Sequence, residues 1–103
     1  SAILVSAALR YADKELIDCV LVHRGDADAG TIFVHIDTRD GRHQILARSL
    51  DFDGRYNWRV ITTTDWVDAE AAKTRLSREL ARDPDAFVIE VNDPAARNPF
   101  SML

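Results

Sequence analysis

The spacing of apolar residues changes several times along the chain, and each change marks a new element. Ile3, Leu4, Ala7, Ala8 and Tyr11 recur at helical spacing and predict a first helix over residues 2–14. The run Asp18-Cys19-Val20-Leu21-Val22-His23 is too apolar and too β-branched to continue that helix. It predicts a first strand, buried on both faces at its centre. Residues 31–38 then alternate: Ile32, Val34 and Ile36 take one face, and Phe33, His35 and Asp37 the other. Asp40-Gly41 predicts a type I′ hairpin into a third strand over 42–49, because glycine and aspartate tolerate positive φ. Asp53-Gly54 repeats that punctuation before a fourth strand over 55–63, where Tyr56, Trp58 and Val60 alternate with Arg55, Asn57 and Arg59.

Helical spacing returns after Thr64-Asp65, which offers N-cap chemistry with Asp68 three residues on. Ala69, Ala72, Leu76 and Leu80 form the inward stripe of a second helix, and Pro84 ends it near Arg82. Phe87-Val88-Ile89-Glu90-Val91 is a fifth strand. The order α-β-β-β-β-α-β predicts an α+β fold, a two-layer domain with an antiparallel sheet of about five strands packed against two helices on one face. Strands 1 to 4 are expected to run as a meander, since no helix-length segment between them allows a parallel crossover. The open sheet face would then carry Arg55, Asn57, Arg59 and Glu90. Residues 1–93 form the single domain, and 94–103, with Pro94 and Pro99, read as an irregular C-terminal tail.

The 103 residues fit one core, and 47% hydrophobic with 29% charged residues is a globular balance. A net charge of −4 with no basic run argues against nucleic acid and against a membrane surface as partner. The apolar opening lacks a basic flank and is too short for a signal or a span, so the expected location is cytoplasmic. Cys19 is the only cysteine; it excludes an internal disulfide and reads as a small buried hydrophobe.

Candidate chemistry is sparse. With a two-residue hairpin at Asp40-Gly41, His35 lies opposite Leu46 and His43 opposite Thr38, so the two side chains diverge and no metal site is expected. Asp26 and Asp28 between Gly25 and Gly30 superficially resemble a calcium loop, but the twelfth position is Asp37, inside a strand. No serine sits in a nucleophile elbow, no glycine-rich phosphate loop is present, and no cofactor is implied. Arg24-Gly25-Asp26, the integrin-adhesion string, is too short a match to carry meaning here.

The combination Arg24-Gly25-Asp26-x-Asp28-Ala29-Gly30, Trp58, and Arg78-Glu79-x4-Asp83-Pro84-Asp85-x-Phe87-x2-Glu90-Val91 spans roughly residues 3–93. It resembles a family of short, uncharacterised bacterial proteins, chiefly alphaproteobacterial, known only as a domain of unknown function. Phe87 departs from that pattern, where tryptophan is usual. The resemblance implies a compact cytosolic bacterial domain and no established activity, cofactor or catalytic residue. It marks Arg24, Asp26, Gly30, Asp83, Asp85 and Glu90 as positions of interest.

The expected function is a non-enzymatic binding or protein-interaction module, open to homodimer formation through an exposed strand or sheet face. Its expected binding residues are Arg24, Asp26, Asp28, Asp85 and Glu90. The alternative is a small carboxylate-dependent hydrolase or transferase using Arg24, Asp26, Asp85 and Glu90. Strand 5 should pair antiparallel with strand 1, which would bring Arg24 beside the Asp83-Pro84-Asp85 turn for a bidentate ion pair.

Overall fold

The computed structural model describes residues 2–26 and 31–103. Its elements are α1 (Ala2–Lys14), β1 (Asp18–His23), β2 (Ile32–Asp37), β3 (His43–Leu50), β4 (Tyr56–Val60), α2 (Ala69–Arg82), β5 (Phe87–Asn92) and a closing 3-10 turn (Pro99–Met102). The α+β class and the expected succession of helices and strands are both found.

The sheet differs from the expected meander. Its strand order is β1-β5-β2-β3-β4, with β5 antiparallel to β1 and parallel to β2. The sheet is therefore mixed, and only β2-β3-β4 is a meander. The helix α2 is the reason. It carries the chain back from β4 and supplies the long crossover that a parallel connection requires. Phe87, Val88, Ile89 and Val91 of β5 are all fully buried, which only an interior strand covered on both faces allows.

The antiparallel partnership of the first and fifth strands is as expected, with Cys19 opposite Val91 and Leu21 opposite Ile89. Yet β1 is an edge strand and not a buried central one: Val20 and Val22 are 46% and 57% exposed.

The two helices lie on opposite faces of the sheet, where one shared face was expected. Val5, Ala8 and Ala12 of α1 join Ile32, Val34, Ile36, Ile89 and Val91 in one core. On the other side, Ala72, Leu76 and Leu80 of α2 meet Phe33, Ile45 and Val88. Because β2 and β5 bear apolar side chains at both parities, the sheet has two faces to cover, and one helix takes each. Asn57 and Arg59 share the α2 side with Glu90, the grouping expected from alternation, but α2 crosses that face between them.

Two boundaries move for identifiable reasons. The N-cap of α2 is Asp68, whose carboxylate accepts from the Ala71 N–H at 2.8 Å, and not Asp65. His43 and Val67 exchange two backbone hydrogen bonds of 2.8 Å, which hold this stretch extended and delay the helix. At the other end, the segment expected to be irregular closes in the 3-10 turn. There Phe100 is 6% exposed, with its ring 5.0 Å from that of Trp58, so it belongs to the α1-side core.

Candidate functional site

The two sequence motifs do meet, but through backbone. After β1 the chain runs tightly past the segment that leads into β5. The His23 Nδ1–H donates to Ala86 O at 2.7 Å, and the Asp26 N–H donates to Asp85 O at 2.8 Å. Between them, Gly25 approaches so closely that an added Cβ would lie 2.1 Å from Asp85 O and 2.8 Å from Phe87 N. The glycine is required here for space. No ion pair joins Arg24 to Asp83 or Asp85. The expected guanidinium clamp is thus replaced by a backbone seam.

Of the other marked residues, Asp26 and Asp85 are exposed at this seam. Asp28 and Gly30 lie outside the described residues. Asp85 lies in the turn before β5, whereas Glu90 is three residues past Phe87, inside the strand, opposite His35 of β2. Arg24, Asp26 and Asp85 are therefore neighbours, and Glu90 belongs to a different place.

That place is built around two histidines that sequence reading separated. The β2–β3 connection is not a two-residue type I′ turn. Five residues, 38–42, separate the last pair Asp37–His43, with Arg39 at φ 68° and Gly41 at φ 90°. An odd number of connecting residues reverses the parity of β3, so His35 and His43 emerge on the same face. Their facing nitrogens, His35 Nε2 and His43 Nδ1, are 2.9 Å apart and share one hydrogen bond. The outer nitrogens look toward carboxylates: His35 Nδ1 is 3.6 Å from Glu90 Oε1, and His43 Nε2 is 4.0 Å from Asp37 Oδ1. The result is a chain running carboxylate, imidazole, imidazole, carboxylate across three strands.

Burial dominates the electrostatics of this chain and lowers the His35 pKa from its ordinary 6.5. Glu90 and Asp37 oppose the shift, and His43 adds to it. His35 is thus held neutral near pH 7, with its side chain 14% exposed and that of Glu90 36% exposed. Among the described residues, no cluster of three or more His, Cys, Asp or Glu side chains is arranged to hold a metal ion. Cys19 lies on the α1 side, where burial and Asp18 push its thiol up to about 11, an unreactive state.

Above the His35–Glu90 end, α2 leaves part of the sheet uncovered. A cavity of about 380 Å³ opens there between the helix and the strands. Its walls are mainly apolar: Val22 and Val88 from the sheet, Leu76 and Leu80 from α2. Polar groups are few and come from both sides, His35, His43 and Glu90 below, Lys73 and Ser77 above. A second depression, of about 400 Å³ at the start of α2, is more open and more polar and lacks such walls. A half-open, mainly apolar cleft with a handful of polar groups is a form that small-molecule sites take. Alternation along β5 showed Glu90 to be polar in an apolar strand, but nothing local in sequence showed the parity of the β2–β3 turn that brings the histidines beside it.

A family model described as a protein of unknown function, DUF1491, matches residues 1–101. The chain belongs to this family. Its fold is that of DUF1491 proteins already solved. A crystal structure from Caulobacter crescentus superposes with a TM-score of 0.82 at 26% identity, covering 95% of this chain and 90% of that one. An NMR structure of a DUF1491 protein from the same organism gives 0.82 at 25% identity, covering 96% and 89%. A solution structure of a protein from A. tumefaciens gives 0.71 at 25% identity, covering 89% and 83%. No curated protein matches the chain. Among the described residues of this DUF1491 protein, no helix is long and apolar enough to cross a membrane.

Proposed function

We propose that this DUF1491 protein is a non-enzymatic binding module whose site is the cleft between α2 and the uncovered strip of sheet. The observation that carries the reading is the pairing of apolar walls, Val22, Leu76, Leu80 and Val88, with a fixed polar floor at His35 and Glu90. Such a site buries an apolar body and orients it by one or two polar contacts. In this reading Glu90 acts in binding, whereas Arg24, Asp26 and Asp85 belong to the seam that sets the entry of β5. The rival hydrolase or transferase needs its acid and base within reach of one substrate atom. Its proposed carboxylates do not gather: Asp26 and Asp85 lie at the seam before β5, whereas Glu90 lies midway along that strand.

Two finer points belong to the same proposal. A bacterial source of alphaproteobacterial type is supported by the organisms of the solved relatives, and a cytosolic location is proposed alongside it. Homodimer formation is supported by the free β1 edge with its exposed valines.

Benzyl alcohol followed by amide NMR tests the binding reading. The expected result is saturable shifts confined to Val22, His35, Ser77 and Val88, and their loss in Leu76→Arg. Shifts scattered over the surface, or unaffected by that substitution, overturn it.

A further inference from the structure

Two opposite charges line the cleft without pairing. Glu90 lies on its floor, midway along β5, between Val20 of β1 and His35 of β2. Lys73 lies on the α2 wall, one helical turn before Leu76 and Ser77. Neither forms an ion pair with the other. Nor does His35 neutralise the carboxylate near pH 7, since burial keeps that ring uncharged. An apolar cleft that carries an acidic and a basic side chain on facing walls is complementary to a ligand with both charges on an apolar body.

Resting on the binding reading above, we propose that the cleft takes a small zwitterion, an aliphatic α-amino acid, with its ammonium on Glu90 and its carboxylate toward Lys73. The aliphatic side chain lies among Val22, Leu76, Leu80 and Val88, and the volume of about 380 Å³ suits a ligand of that size. Ser77, one residue past Leu76 on α2, adds a hydroxyl for the carboxylate. His35 then does not bind the ligand as a charge. It holds the Glu90 side of the floor through its own hydrogen bond to His43.

Four probes separate the contributions: L-leucine, L-leucinol without the carboxylate, isocaproate without the amine, and isopentanol with neither. Their affinities are read by amide NMR on the intact chain. L-leucine is expected to bind at least about tenfold more tightly than each of the others, since each missing charge forfeits a charge-assisted hydrogen bond. Glu90→Gln should erase its advantage over isocaproate, and Lys73→Gln, at an exposed position, its advantage over leucinol. Equal binding of leucine and isopentanol overturns the zwitterion while leaving the apolar cleft intact. Preference for leucinol or isocaproate over leucine also overturns it. No response to any of the four at millimolar concentration overturns both the ligand and the cleft.

Discussion

Single residues show where this fold has no slack. Gly25 has ordinary backbone geometry, yet its hydrogen faces the Asp85–Phe87 backbone at a distance that admits no carbon. Gly25→Ala must push β5's entry away from β1, and its expected cost is about 3 kcal/mol in urea unfolding. Arg24→Ala, by contrast, removes an exposed side chain with no ion pair to Asp83 or Asp85 and should stay within about 0.5 kcal/mol. The reverse ranking would restore the guanidinium clamp. His35 gives a pH signature of its own. Its pKa is lowered in the fold, so below pH 6.5 the unfolded chain takes up a proton that the native state resists. Stability from this group is therefore complete above pH 6.5 and lost as the pH falls below it. The urea midpoint should drop between pH 7.5 and 5.5, and the drop should shrink in His35→Gln. A midpoint that rises on acidification would mean that Glu90 and Asp37 outweigh burial.

Elements here are held by partners distant in sequence more than by their own propensities. The start of α2 is set by the Val67 bridge to β3 and the Asp68 cap, although Thr64-Asp65 has equally good capping chemistry. The last turn is the clearest case. It contains Pro99, Phe100, Ser101 and Met102, has little intrinsic order, and is fixed by the burial of Phe100 beside Trp58. Phe100→Ala is expected to cost about 3–5 kcal/mol, as for other buried aromatic rings. A thermal shift within error of wild type would show that the tail is an appendage.

At the scale of the whole molecule, the site is a consequence of uneven cover. One helix of 14 residues is laid across a five-stranded face. It covers the β3 side closely, because Ile45 and Ala47 of that strand meet Ala72. The β1–β5 side is left partly open: Val22 and Glu90 line the cleft there, and exposed Val20 is the cross-strand neighbour of Glu90. The cleft exists because β5 was inserted between β1 and β2. In the expected meander Glu90 would have stood in an outer strand, away from His35.

The sequence by itself determined what depends on near neighbours. The helix over residues 2–14, the strand from Asp18 to His23, the face of β2 that carries Ile32, Val34 and Ile36, and the end of α2 before Pro84 follow from local periodicity and backbone chemistry. The antiparallel pairing of the first and fifth strands was also legible, because two continuous apolar runs need each other's cover. Tertiary structure alone decided the rest. Whether β5 sits at an edge or between β1 and β2 is a matter of which apolar faces remain uncovered once α2 has crossed, a sum over the whole chain. Whether His35 and His43 meet or diverge turned on one residue in the β2–β3 connection. A period-two strand converts that single residue into opposite faces of the sheet.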